Sequence, residues 1–137
     1  MPSVFLDTNV LIYAAAGRRT VTQKADIAIK LMLDGDFGVS VQVLQEFYVN
    51  VKRAAPGFTD IEVDTWIEEL LHFECVSIDP VLVATAISNS RRHKISYWDG
   101  AIIAAAEKLS ATTLYTEDLN NGQMYGSVRA VNPFAGL

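Results

Sequence analysis

The feature that most constrains the fold of this chain is the alternation of short apolar runs with longer segments of helical spacing. Strand-like runs occupy residues 4–6, 37–40, 75–78, 113–116 and 128–131. Apolar residues at helical spacing predict helices over residues 21–33, 41–53, 60–73, 81–90 and 98–109. Because strands that alternate with helices form βαβ units, we predict an α/β fold with a mostly parallel sheet.

Length and composition narrow the class of protein. A chain of 137 residues is expected to form a single domain over residues 1–137. A content of 50% hydrophobic and 20% charged residues excludes a disordered protein. The single cysteine, Cys75, excludes an internal disulfide framework and a thiolate zinc site. Without a long apolar run or a basic, apolar leader, we expect a soluble, cytoplasmic protein that does not span a membrane.

The net charge of -5 comes from one segment of the chain. Seven acids lie between residues 56 and 79 with no lysine or arginine among them, whereas nine acids face 11 basic residues elsewhere. The global charge therefore neither excludes nor indicates a nucleic-acid ligand.

Polar residues follow the predicted strands at the edge where ligands bind in open α/β sheets. The sequence Asp7-Thr8-Asn9 follows the first strand, and Thr116-Glu117-Asp118 ends the fourth. Two more acids are expected near the same edge. Glu46 lies on the helix that follows the second strand, and Asp99 lies at the start of the fifth predicted helix.

Each of these acids has an ordinary structural interpretation when taken alone. Asp7 suits a helix N-cap or an Asx-turn. Asp99 follows Ser96 at capping-box spacing. Glu46 lies about 130° from the centre of the apolar face of its helix, at 100° per residue, which is typical of a solvated glutamate. The acids after the fourth strand suit an ordinary loop.

Together, however, these acids would repel one another at one sheet edge and raise each other's pKa values. A divalent cation removes that conflict, and oxygen ligands without cysteine or histidine suit Mg²⁺ or Mn²⁺. Such ions activate water and polarise phosphoryl oxygens, which indicates phosphodiester hydrolysis as the class of reaction.

Four motifs, in order, carry a resemblance to a known family: VFLDTNVLIY, VLQEFY, SYWDGAIIAAA and LYTEDL. They resemble the PIN-domain ribonucleases and most of all the VapC-type toxins of type II toxin–antitoxin systems. The resemblance extends from residue 4 to residue 134. It implies a three-layer PIN-like fold in which a five-stranded, mostly parallel sheet of order 3-2-1-4-5 is flanked by helices.

The resemblance also implies a site and an activity. The catalytic, metal-binding acids of the family correspond to Asp7, Glu46, Asp99 and one acid of Thr116-Glu117-Asp118. The T-x-D pattern favours Asp118 for the last position, and Glu117 is the alternative. Thr8, Asn9 and Thr116 would support these ligands through hydrogen bonds. The expected activity is Mg²⁺- or Mn²⁺-dependent endonucleolytic hydrolysis of RNA of the single-strand type, with one metal or two left open.

Partners follow from the same resemblance. We expect a homodimer and a cognate VapB-like antitoxin that covers the active-site groove, with promoter DNA bound only through the antitoxin complex. Candidate RNA contacts are four arginines near the first and third motifs: Arg18, Arg19, Arg91 and Arg92. Solvated helix ends, where cations offset the helix dipole, are the alternative for such residues. Trp66 and Trp98 are predicted to pack in the core, with base stacking as the alternative.

Three other functions remain open at this point. A non-catalytic binding module with the same fold is the first, although all four acids are present. A metal-dependent phosphotransfer domain is the second, but the D-x-D pattern of haloacid-dehalogenase-like phosphatases is absent because residue 9 is Asn. A PIN nuclease that processes RNA without a toxin role is the third.

Overall fold

The structure, a computed structural model, describes residues 2–137, with the side chain of Arg18 outside the description. The strands are β1 (Val4–Leu6), β2 (Phe37–Ser40), β3 (Glu74–Val76), β4 (Thr113–Tyr115), β5 (Met124–Tyr125) and β6 (Val128–Val131). The helices are α1 (Thr8–Ala16), α2 (Thr22–Leu33), α3 (Val41–Ala54), α4 (Asp60–Leu70), α5 (Pro80–His93) and α6 (Tyr97–Lys108), with a 3₁₀ turn at Gly17–Arg19. The predicted elements are all found, and their ends differ by at most three residues.

One sheet carries all the described strands in the order β3-β2-β1-β4-β6-β5. The first five strands in this order are parallel, so the predicted 3-2-1-4-5 arrangement is confirmed, with β6 as the predicted fifth strand. The strand count of five is wrong because β5 adds an antiparallel edge beside β6. A strand of two residues carries no periodicity that a sequence could reveal. That residues 1–137 form a single domain stays a prediction.

Helix α1 was not among the predicted elements, and its composition explains why. Its residues are apolar on nearly every side, so no helical period separates a buried face from an exposed one. Its N-cap is Asp7, whose carboxylate accepts a 2.7 Å hydrogen bond from the backbone N–H of Thr8. The prediction that Asp7 is a helix N-cap is thus confirmed. Asp7 also directly follows the last residue of β1.

Helix α6 packs against β2, β4 and β6, and α5 packs against α6. Residues 100–106 are buried, as the apolar sequence predicts. Gly100 permits the close approach of the two helices, since a Cβ atom there would lie 2.5 Å from the carbonyl oxygen of Ala86. This contact fixes the start of α6, and with it the position of Asp99. Within residues 2–137, no helix is long and apolar enough to cross a membrane.

The two tryptophans differ in burial. Trp66 packs against the core and stacks on Phe47, with ring centroids 5.9 Å apart, as predicted. The same prediction for Trp98 is wrong, because 63% of its surface is exposed. Trp98 lies in the first turn of α6, before the helix enters the core.

Candidate active site

A pocket of about 200 Å³ lies at the ends of β1 and β4 and is also lined by residues of α1, α3 and α6. All four acids of the predicted site line this pocket: Asp7, Glu46, Asp99 and Asp118. The other residues that line the pocket are four polar and three apolar ones: Thr8, Asn9, Gln42, Asn50, Ile12, Trp98 and Ile102. The arrangement therefore brings the four carboxylates to one cavity.

Asp7 is the most buried of the four, with 5% of its surface exposed. Its carboxylate accepts hydrogen bonds from the N–H of Thr8 and, at 2.8 Å, from the hydroxyl of Thr116. Burial raises the pKa of Asp7 to about 7, against the lowering effect of these hydrogen bonds. The negative charges of Asp118 and Glu46 raise this pKa further. The charged form of Asp7 is therefore costly without a nearby cation.

The side chain of Asn9 joins the ends of β1 and β4. Its Oδ1 accepts from the N–H of Glu117 at 3.4 Å, which orients the amide. Its Nδ2 then donates to Asp118 Oδ2 at 3.1 Å and to Thr116 Oγ1 at 3.3 Å. It also lies 3.5 Å from Asp7 Oδ2. A partly positive N–H group thus stands between two of the carboxylates.

The hydroxyl of Thr116 uses all its hydrogen-bonding capacity in the same cluster. It donates to Asp7 and accepts from Asn9 and from the N–H of Asp118, the last at 3.1 Å. Thr116 is 1% exposed, so these bonds lie away from competing water. Asn9 and Thr116 make hydrogen bonds to the acids of the pocket, and their role in supporting metal ligands stays a prediction.

The acids on the helices are less tightly held. Glu46, half-buried on α3, accepts a 2.9 Å hydrogen bond from the hydroxyl of Thr8. Ser96 caps α6 by accepting from the N–H of Asp99 at 3.0 Å, while the Asp99 carboxylate faces the pocket. Partial burial raises the pKa of Asp99, the Ser96 hydroxyl opposes this, and the charge of Asp118 adds to it.

Glu117 points away from the pocket although it is adjacent to Asp118. Its carboxylate accepts from the hydroxyl of Tyr13 at 2.9 Å and pairs with Lys24 Nζ at 3.0 Å. Lys24 also donates to the Tyr13 hydroxyl at 3.1 Å. Of the two acids that the sequence left open, Asp118 lines the cavity and Glu117 is engaged elsewhere.

Three of the four arginines predicted to contact RNA do not line the pocket: Arg19, Arg91 and Arg92. Arg19 pairs with Glu62 at 3.5 Å and lies over the ring of Phe58. Arg91 and Arg92 are exposed in the last turn of α5, where cations favour the helix dipole. The side chain of Arg18 lies outside the described residues.

The donor set is one that a hard divalent cation prefers, because it consists of carboxylate and amide oxygens. In the conformation described for residues 2–137, however, no three acidic, histidine or cysteine side chains stand close enough to hold one ion. The Asn9 amide separates Asp7 from Asp118. The residues that line the pocket thus fit a hard divalent cation by the chemistry of their donor atoms.

Sequence reasoning did not single out two polar residues of the pocket, Gln42 and Asn50. Gln42 donates to the backbone carbonyl of Trp98 at 3.1 Å and so ties α3 to the start of α6. Asn50 lines the pocket one turn beyond Glu46. The signal was present, because residues 42, 46 and 50 form a polar stripe at i, i+4 spacing on one helix face.

Comparison with known proteins bears on the identity of the fold. The sequence profile of the PIN domain matches residues 4–125, which is most of the chain. The chain belongs to the PIN-domain family. No curated protein sequence matches it significantly.

Solved structures of similar fold include a toxin and toxin–antitoxin complexes. A toxin–antitoxin complex from Klebsiella pneumoniae is 21% identical, with a TM-score of 0.71, and the match covers 96% of this chain and 98% of the other. VapC20 of Mycobacterium tuberculosis, a toxin that cleaves the sarcin–ricin loop, is 17% identical, with a TM-score of 0.70 over 93% and 99%. VapBC2 of Rickettsia felis, bound to a fragment of its promoter DNA, is 15% identical, with a TM-score of 0.61 over 93% and 96%. At these identities, the likeness establishes the PIN fold.

Proposed function

We propose that this PIN domain is a Mg²⁺- or Mn²⁺-dependent endoribonuclease that acts in the cytoplasm as the toxin of a VapBC-type toxin–antitoxin pair. The observation that carries the proposal is the convergence of four carboxylates on one pocket at the carboxyl ends of β1 and β4. An acid as buried as Asp7, beside two like charges, is costly to maintain without a cationic ligand.

Asp7, Asp99 and Asp118 would hold the cation, and Glu46 would complete the site or hold a second ion. A bound divalent cation polarises a phosphoryl oxygen and lowers the pKa of an attacking water. Thr116 keeps the Asp7 carboxylate in place through its 2.8 Å hydrogen bond, and Thr8 does the same for Glu46. Ile12 and Ile102 add apolar surface to the wall of this pocket.

The partners in this proposal are an RNA substrate, a VapB-like antitoxin and a second copy of the chain. Two structural neighbours are toxin–antitoxin complexes, one of them bound to promoter DNA, which supports the antitoxin partner. VapC20, which cleaves the sarcin–ricin loop, supports an RNA substrate. The second copy of the chain rests on the family resemblance alone. Promoter binding would depend on the antitoxin, since the pocket of this chain is acidic and would repel phosphates without a cation.

The test is cleavage of total RNA by purified protein with Mg²⁺ or Mn²⁺, for wild type, Asp7→Asn and Asp26→Asn. Asp26 is exposed on α2 and does not line the pocket. Its variant therefore makes the same chemical change at a position outside the candidate site. We expect wild type and Asp26→Asn to cleave RNA, and EDTA to abolish this cleavage. The cleavage rate of Asp7→Asn should fall by at least about 100-fold, which is more than the loss of a residue that only hydrogen-bonds to a metal ligand would cause. Equal cleavage by wild type and Asp7→Asn would contradict the proposal.

The toxin role needs a separate measurement. Induced expression of wild type in a bacterial host should arrest growth, and Asp7→Asn should not. Nuclease activity without growth arrest would favour a PIN nuclease of RNA processing. RNA binding without cleavage would favour the non-catalytic binding module.

A further inference from the structure

A second pocket of about 290 Å³ adjoins the carboxylate pocket between α3 and α6. The two share four lining residues, Gln42, Glu46, Asn50 and Trp98, and the second adds Gln45 and Val49. Because they share a wall, a ligand whose phosphate lies at the carboxylates can extend into the second pocket without leaving the surface.

Trp98 is the aromatic residue that lines this second pocket. Its side chain is exposed although it directly precedes Asp99, and its backbone is held by the hydrogen bond from Gln42. The indole ring meets the ring of Tyr97 edge to face at 5.0 Å. Val49, 72% exposed on α3, lies on the opposite side of the pocket. A large exposed aromatic ring thus lies beside the candidate catalytic acids.

We propose that this second pocket binds an unpaired nucleobase next to the scissile phosphate, with Trp98 as the stacking platform. The inference rests on the proposed function and deepens it by assigning a subsite for one base of the substrate. Every nucleobase offers a flat π-face to an aromatic ring. The side-chain amide of Gln45, exposed at the rim, supplies both a donor and an acceptor for a base edge.

The size and composition of the pocket favour a base over a protein partner. Its exposed apolar surface comes from Val49 and Trp98 and is bordered by three amide side chains and by the carboxylate of Glu46. A stable protein interface buries at least about 1,000 Å² in total. A single base with its sugar needs far less surface and needs contact with the neighbouring phosphate site.

The experiment uses the full chain with Asp7→Asn, which suppresses cleavage, in the presence of Mg²⁺. Because the chain has two tryptophans, adding Trp66→Phe leaves Trp98 as the only source of indole fluorescence. The probe is a ten-nucleotide single-stranded RNA, together with variants in which one base at a time is removed to leave an abasic position. Affinity is then compared for Trp98→Ala, Trp98→Phe and the control Val81→Ala, a residue that is 74% exposed on α5.

We expect the RNA to quench Trp98 emission and Trp98→Ala to weaken binding about tenfold or more. Trp98→Phe should retain most of the affinity and Val81→Ala all of it. One abasic position should weaken binding to the parent protein but not to Trp98→Ala. Since Trp98 is largely exposed, its variants should keep the melting temperature of the parent protein.

Unchanged RNA affinity in Trp98→Ala, with normal cleavage by the wild-type protein, would overturn the nucleobase subsite and leave the proposed function standing. Dissociation of a dimer by Trp98→Ala with unchanged RNA affinity would also overturn it and assign the surface to a second copy of the chain. Failure of the wild-type protein to bind or cleave any RNA would remove the proposed function and the subsite together.

Discussion

The two sides of the pocket are built differently. One side, the strand-end wall, consists of Asp7, Asn9, Thr116 and Asp118, which are joined by a continuous set of hydrogen bonds. The other side, the helix wall, consists of Glu46, Trp98 and Asp99. Of these three side chains, Glu46 is held by one hydrogen bond from Thr8, and Trp98 is exposed.

The strand-end wall is therefore more rigidly held by hydrogen bonds than the helix wall. Buried hydrogen bonds on the strand-end wall hold Asp7 in one position before any ligand arrives. The side chains of the helix wall are less constrained, because they are more exposed and make fewer hydrogen bonds. Burial also makes Asp7 the acid that gains most from a positive ligand, because its pKa is raised to about 7.

The largest expected effect is on the pH dependence of stability without metal. The pKa of Asp7 is about 7 in the folded protein, against 3.8 as its ordinary value. Between these values, the unfolded chain has lost a proton that the folded chain retains. The free energy of unfolding should therefore fall as pH rises from about 5 to 7, by up to roughly 1.4 kcal/mol per pH unit.

Urea unfolding at several pH values, with EDTA present, measures this slope. Asp7→Asn should remove most of the slope, whereas Asp99→Asn, on the helix wall, should leave most of it in place. An equal loss of slope in the two variants would contradict the distinction between the walls.

The next effect concerns the hydroxyl at the centre of the strand-end wall. Thr116→Val keeps the shape of the side chain but removes one donor to Asp7 and one acceptor for Asn9 and Asp118. We expect RNA cleavage to fall about 10- to 100-fold, as for other hydrogen-bond partners of metal ligands. Unfolding should become easier by about 1–3 kcal/mol, since buried polar groups lose their partner.

Thr85→Val is a matched control, because Thr85 is exposed on α5 and its hydroxyl bonds only to a carbonyl of its own helix. Cleavage kinetics and urea unfolding measure both quantities for the two variants. Normal cleavage by Thr116→Val would mean that Asp7 does not depend on this wall for its position.

A smaller effect is expected behind the strand-end wall, where Lys24 pairs with Glu117. Lys24→Met leaves the charge of Glu117 uncompensated beside Asp118, which disfavours the ionised forms of the pocket acids. Cleavage should fall severalfold at neutral pH and recover as pH rises. Lys30→Met, at an exposed position near the end of the same helix, is the control. A loss that is the same at every pH would indicate a structural role for Lys24 alone.

The sequence predicted the strand-end wall better than the helix wall, for physical reasons. The order of parallel strands brings the residues after β1 and β4 together, as their pairing through Leu6 and Tyr115 shows. The position of Glu46 depends on how α3 leans, and helical spacing alone suggested a solvated side chain. The exposure of Trp98 depends on where α6 leaves the core, which the apolar run of that helix does not reveal.

Loop acids show a similar limit. The pattern T-x-D favoured Asp118 over Glu117, but only the contacts of Glu117 with Tyr13 and Lys24 explain why one acid faces the pocket and its neighbour does not. These contacts join positions that are about a hundred residues apart in the chain. No local pattern could have predicted them.

Cation binding is the central claim, and Mn²⁺ titration followed by electron paramagnetic resonance tests it most directly. The signal of free Mn²⁺ should decrease with saturable binding to wild type and to the control Asp26→Asn. Asp7→Asn should bind at least about tenfold more weakly, since it loses the buried charge that the ion would neutralise. Equal Mn²⁺ affinity in wild type and Asp7→Asn would contradict the account.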